Sequence, residues 1–121
     1  MDDFTRQYIE TAIWASNDES RDDGGDPMDR NYGPDDLAPC ARAKMIADCA
    51  AFQESQYDAI GYSLSDQSRA GHDFWLTRNG HGAGFWDGDW KEPYAAALTK
   101  ASRACGECNL YIGDDKQIYI Y

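Results

Sequence analysis

An α+β domain is the fold class this 121-residue sequence predicts. Three observations carry the prediction. Apolar residues recur with helical spacing in stretches near 4–16, 34–57 and 93–105. Residues alternate between apolar and polar near 72–78 and again toward residue 121, as strands do. Glycine and proline punctuate the segments between. The resulting order is ααββαββ: two N-terminal helices, a β-hairpin, a helix and a C-terminal β-hairpin. An antiparallel sheet of about four strands would pack on the helices. Single domains commonly run about 100–150 residues, so residues 1–121 are read as one domain. With 42% hydrophobic residues the chain can build one core without metals or disulfides.

The first helix is "FTRQYIETAIWAS", residues 4–16. At about 100° per residue Phe4, Tyr8, Ala12 and Ala15 share a face, with Ile9 and Ile13 at its margin. Trp14 points away from that stripe, beside Gln7 and Glu10. A long acidic loop follows at 17–36, "NDESRDDGGDPMDRNYGPDD". Its Gly24-Gly25, Pro27 and Gly33-Pro34 argue against regular structure. The second helix is expected from about Pro34 to Tyr57, with Asp35 and Asp36 in a first turn that favours carboxylates. Leu37, Ala41, Met45, Cys49 and Phe52 would form its apolar stripe.

Residues 72–78, "HDFWLTR", then alternate as a strand, with His72, Phe74, Leu76 and Arg78 on one face and Asp73, Trp75 and Thr77 on the other. "NGHGAG" would turn the chain and "FWD" return it. A third helix spans "EPYAAALTKASRAC", with Pro93 near its start and Gly106 past its end. In the final hairpin Leu110, Ile112, Ile118 and Ile120 share one face, and Tyr111, Tyr119 and Tyr121 take the other.

Charge is the outlying property. Twenty-two acids against eleven bases give a net charge of −11. The 17–36 segment holds Asp18, Glu19, Asp22, Asp23, Asp26, Asp29, Asp35 and Asp36 against two arginines, more than half of that excess. Such a chain repels nucleic acid and anionic membranes and is drawn to basic protein surfaces. No apolar run reaches the roughly 20 residues needed to span a bilayer. The start, Met1-Asp2-Asp3-Phe4, lacks signal-peptide character, so a cytoplasmic setting with cysteines as thiols is expected.

Residues 71–90 hold both histidines and three of the four tryptophans, the natural place to look for chemistry. Each chemical reading meets an obstacle. Cys40 and Cys49, nine apart on one helix, project about 180° from each other and cannot share a zinc ion. Cys105 and Cys108 follow a helix, at its negative end, which disfavours thiolate. A hairpin nuclease built on His72, Asn79 and His81 would want a metal ligand on the next helix, yet residues 93–105 contain no His, Asp, Glu or Asn. Gly80, Gly82 and Gly84 lead into an expected strand, whereas phosphate-cradling loops lead into a helix N-terminus. Asp87 and Asp89, two residues apart, read as turn formers and helix caps. Calcium fails on spacing, since Asp23 stands where an EF-hand loop requires glycine. No metal and no cofactor are expected.

The stretches "AGHDFWLTRNGHGAGFWDGDW", "YIETAIWAS", "NYGPDDLAP" and "IGDDKQIYI" resemble a group of small acidic proteins encoded by phages, prophages and other mobile elements. The resemblance covers most of the chain and carries no catalytic residues with it. It implies a host-cell cytoplasm and an anti-defence role, against restriction or CRISPR systems.

Together these lead to a non-enzymatic acidic binding protein that inhibits a host nucleic-acid-handling protein by occupying its basic surface, with carboxylates in place of phosphates. It would not bind nucleic acid or membrane directly. The eight carboxylates above would supply the charge, and Trp14, Trp75 and Trp90 the aromatic anchors. One alternative is a small hydrolase or ligand-binding protein with a pocket at the 72–90 hairpin, lined by His72, His81, Trp75, Trp86, Asp87 and Asp89. A second alternative is a phage assembly or regulatory adaptor without charge mimicry.

Overall fold

A computed structural model of the chain describes residues 1–20, 25–58, 60, 67–87 and 90–121. The first helix, α1 (Asp3–Trp14), opens on Asp2, whose carboxylate accepts a hydrogen bond from the Thr5 amide at 2.8 Å. That N-cap satisfies one of the helix's free amides, typically worth about 1 kcal/mol. Phe4, Tyr8 and Ala12 of the expected stripe are buried, with Ile9 and Ile13 drawn fully in, while Ala15 caps the helix end and is only partly buried. The chain then forms two short paired strands, β1 (Asn17–Asp18) and β2 (Asp26–Pro27), and two 3₁₀ turns at Met28–Arg30 and Pro34–Asp36. Helix α2 (Pro39–Ser55) begins at Pro39, because Leu37 and Ala38 are extended and break the chain away from the preceding turn. Ala41, Met45, Cys49 and Phe52 face inward as the spacing predicted.

The main departure from expectation is α3 (Gln67–Arg78). The segment 72–78 is helical, so the 72–87 hairpin does not form, and the helix lies at the centre of the molecule. Ala70, Gly71 and every residue from Asp73 to Arg78 are buried. The helix buries polar residues as well as apolar ones, Asp73, Thr77 and Arg78 lying inside with Phe74, Trp75 and Leu76, so its sequence loses the one-sided apolar stripe that marks surface helices. The alternation read as a strand was coincidental. Asn79-Gly80 is the helix terminator: Gly80 has φ +71°, its amide donates to Thr77 O at 3.2 Å, and the His81 amide donates to Leu76 O at 3.0 Å. These two bonds define a Schellman C-cap, which wants glycine at this left-handed position.

Gly71 marks where α1 and α3 cross. A Cβ there would stand 2.0 Å from the Phe4 carbonyl oxygen, so only glycine permits this approach. Past the cap, Phe85 inserts fully into the core while its amide donates to Thr77 Oγ1 at 3.0 Å. Trp90 Nε1 donates to the buried Asp73 carboxylate at 2.6 Å. Helix α4 (Tyr94–Ala104) lays Ala95, Leu98 and Ser102 inward, with α3 its neighbour, and Gly106 follows it at φ +79°.

The C-terminal hairpin pairs β3 (Leu110–Ile112) with β4 (Ile118–Ile120) in the register Leu110↔Ile120, Tyr111↔Tyr119 and Ile112↔Ile118. Leu110, Ile112 and Ile118 are buried, and Tyr111 stacks on Tyr119 along the outer face. The fold is therefore α+β, but its strands form two separate two-stranded sheets, β1-β2 and β3-β4, instead of one sheet of four. The Ala38 amide ties α2's entry to the hairpin through Ile118 O at 2.9 Å. Phe52 stacks on Phe74 at 4.0 Å between ring centroids, in a core that also takes Phe4, Tyr8 and Phe85.

Candidate functional site

The acidic 17–36 segment, as far as it is described, is a strap docked against the end of α1, with short regular elements where an irregular loop was expected. Two side chains turn inward to hold it. Met28 is fully buried in the core, and its amide donates to Ser16 O at 2.9 Å. Asp18 is only 3% exposed, and its Oδ1 accepts from the Ser20 amide at 3.0 Å and the Ser20 hydroxyl at 2.5 Å. Asp36 bends back to accept the Gly33 amide at 2.8 Å, and Asp26 pairs with Arg30 at 3.2 Å. Glu19, Asp29 and Asp35 are exposed. Asp22 and Asp23 lie outside the described residues.

The carboxylates expected to form the binding row thus divide by role. Asp18 is a buried strut and is withdrawn from any surface. The tryptophans divide as well. Trp14 is 59% exposed, whereas Trp75 and Trp90 are 2% and 4% exposed, so neither of those two offers a surface anchor. Trp90 is engaged by Asp73, and the buried Trp75 Nε1 has no hydrogen-bond partner among the described residues.

Between α1, the strap and α3 lies an open cavity of about 360 Å³. Glu10, Thr11 and Trp14 line it from α1, Asp29 and Tyr32 from the strap, and His72 from α3. Residues three and four apart on a helix share a face, and that is why Gln7, Glu10, Thr11 and Trp14 project together. His72 Nδ1 lies 2.7 Å from Thr11 Oγ1, which also accepts from Gln7 Nε2 at 3.2 Å. The imidazole ring sits 5.9 Å from the Trp14 ring, centroid to centroid. The Thr11–His72 contact has the atoms of a nucleophile and base, but the hydroxyl is buried in mid-helix and already serves Gln7. Its geometry is that of a brace that sets the imidazole orientation.

The cavity brings together residues from both lists of sequence candidates: Trp14 and Asp29 from the acidic face, and His72 from the histidine-bearing stretch. Glu10 and Tyr32 were not among the candidates. The i, i+4 spacing of Glu10 and Trp14 carried a signal for Glu10, and only the docking of the strap reveals Tyr32.

The remaining members of the proposed 72–90 pocket are not gathered. His81 lines a separate polar concavity of about 220 Å³ with Glu19, Trp75 and Asn109. Trp86 borders another, against Glu92, Ala95 and Arg103. Asp87 accepts a hydrogen bond from the Gly84 amide at 3.3 Å, and Asp89 lies outside the described residues. Because 67–78 is a helix, His72 projects toward α1 while His81 follows the cap at the helix end.

Among the described residues, no group of three or more His, Cys, Asp or Glu side chains is placed to hold a metal ion. Cys40 and Cys105 are exposed thiols, and Cys49 and Cys108 are buried ones. Burial raises the Cys49 and Cys108 pKa values, which opposes thiolate formation. Among the described residues no helix is long and apolar enough to cross a membrane. No protein-family model, curated protein or solved structure gives a significant match to the chain.

Proposed function

We propose that the chain is a non-enzymatic acidic binding protein that engages the basic surface of a nucleic-acid-handling protein, in a mobile-element setting a host defence protein. One observation carries the reading: the exposed carboxylates of the strap sit on a segment anchored through buried Met28, with buried Asp18 closing a local turn on Ser20. Carboxylates held in place before encounter bind without the full ordering cost of a loose acidic tail. A net charge of −11 supplies the long-range attraction that steers a basic partner inward. Asp29 on the strap and Glu10 on α1, which line one cavity with Trp14, together with the exposed Glu19 and Asp35, are the carboxylates that would stand where phosphates stand. Trp14 is the aromatic contact at their edge. The phosphate-like array is accordingly shorter than the eight-residue run, since Asp18 faces inward.

Affinity capture from host-cell extract at low and raised salt, with identification by mass spectrometry, tests this. The expected result is enrichment of a nucleic-acid-binding protein that is lost as salt rises. Exposed ion pairs contribute about 0.2–1 kcal/mol each, so neutralising Glu19, Asp29 and Asp35 together should weaken that capture by roughly tenfold. Free DNA should compete with the protein for the captured partner. Enrichment of no nucleic-acid-binding protein, or capture indifferent to the triple substitution, refutes the reading.

A further inference from the structure

We infer that the cavity between α1 and the strap is a receptor for a single arginine side chain, presented by a partner surface. The inference rests on the binding reading above and names the group that would enter first.

The walls are aromatic. Trp14, Tyr32 and His72 come from three different segments to line one concavity. Trp14 is exposed although α1 buries its other aromatic residues, Phe4 and Tyr8. The His72 ring is turned toward it by the bond to Thr11, itself held by Gln7. The ring arrangement therefore exists before any ligand arrives. Two carboxylates, Glu10 and Asp29, complete the lining from two sides, and among the described residues neither lysine nor arginine lines the cavity. Arg30, the neighbour of Asp29 in sequence, is directed to Asp26 instead.

This combination selects a cation that is flat. An apolar guest would strip water from Glu10 and Asp29 and give nothing back. An anion would be repelled by them. A guanidinium satisfies both requirements, since it stacks on aromatic faces and its forked N–H donors match carboxylate oxygens. An ammonium carries the charge without the plane. At about 360 Å³ the cavity lies at the small end of the roughly 300–1,000 Å³ typical of ligand pockets, which suits one side chain. The proposed basic partner offers such side chains on the very surface that it uses for phosphates.

The experiment is a titration of the isotope-labelled full chain with N-acetyl-arginine amide, read at the Trp14 indole N–H and the His72 ring by NMR. The lysine and citrulline analogues serve as comparisons; citrulline is close to arginine in shape but uncharged. Saturable shifts confined to Trp14, His72 and Tyr32 are expected for arginine, with several-fold weaker binding for lysine and none for citrulline. Trp14→Leu should abolish the shifts at His72. Glu10→Gln with Asp29→Asn should weaken binding by roughly tenfold while the rest of the spectrum is unchanged. Equal response to citrulline, non-saturating shifts, or full binding by the Glu10/Asp29 variant overturns the inference. If arginine fails here while salt-sensitive capture of a basic partner persists, the receptor is refuted and the acidic-surface reading stands. If arginine binds and no partner is captured, the reverse holds.

Discussion

Among the described residues Arg78 is the one buried cation, its side chain only 4% exposed, and replacing it by methionine tests how the fold is tied together. Its guanidinium donates to Gly106 O at 2.8 Å, Tyr8 OH at 3.0 Å, Asp48 Oδ2 at 3.1 Å and Cys105 O at 3.1 Å. One side chain thus joins α1, α2 and the turn after α4. Arg78→Met keeps the length and removes every donor. The Tyr8 hydroxyl is buried, and leaving it without this partner costs about 1–3 kcal/mol. The two carbonyls lie at a turn that water can reach, so each is assigned about 0.5–1 kcal/mol. The Asp48 carboxylate is partly exposed and also paired with Lys44 at 3.0 Å, so its loss is discounted to about 0.5 kcal/mol. The sum is about 2.5–5.5 kcal/mol, centred near 4, a large part of the roughly 5–15 kcal/mol that stabilises a domain. With a urea slope of about 1–3 kcal/mol per molar, the midpoint should fall by about 2 M. Arg78→Lys retains the charge without the fork and should recover less than half of the loss. Equilibrium unfolding followed by circular dichroism measures both. A loss below about 1 kcal/mol for the methionine variant would refute the assignment of Arg78 as the tie between these elements.

Two further perturbations check the helix crossing and the buried carboxylate. Gly71→Ala places a methyl against the Phe4 carbonyl; overpacking of this kind costs about 1–3 kcal/mol or more, so the thermal midpoint should drop by roughly 10 °C, and an unchanged midpoint would mean that α1 and α3 do not approach as closely as described. Burial raises the Asp73 pKa, opposed by the hydrogen bond from Trp90. A raised carboxylate pKa favours the folded state fully below the unfolded value of about 3.9, and that contribution is lost as pH rises through the folded value. Asp73→Asn keeps an acceptor for Trp90 and should therefore be at least as stable at neutral pH, with a flatter stability profile through the acid range. Strong destabilisation at neutral pH that is equal at low pH would contradict this.

How much of the molecule could be read from its residues depended on how each element is buried. Helices α1, α2 and α4 each bury one side, so Phe4-Tyr8-Ala12, Ala41-Met45-Cys49 and Leu98 announced themselves by spacing. The C-terminal hairpin was equally plain, because Leu110, Ile112 and Ile118 alternate with tyrosines. Helix α3 was hidden for the opposite reason: it buries polar Asp73, Thr77 and Arg78 beside its aromatics, so no one-sided apolar stripe marks it. Its chance alternation of aromatic and polar residues then mimics a strand, and its glycine cap mimics a hairpin turn. Within the strap, nothing local separates Met28, which anchors, from an ordinary loop residue, or Asp18, which faces inward, from Asp29, which faces out. Trp14 was placed correctly on the polar side of α1. Its neighbours from the strap were invisible, because Asp29 and Tyr32 reach the cavity by a tertiary path.

The division of the strap into inward struts and outward carboxylates has a consequence for how such a protein changes over generations. Met28 and Asp18 bear the cost of any substitution, since they are the residues the core and the turn require. Positions 19, 29 and 35 face solvent and can be exchanged with little effect on folding. A lineage facing a partner that alters its basic surface could therefore revise the matching face one residue at a time, without passing through an unfolded ancestor.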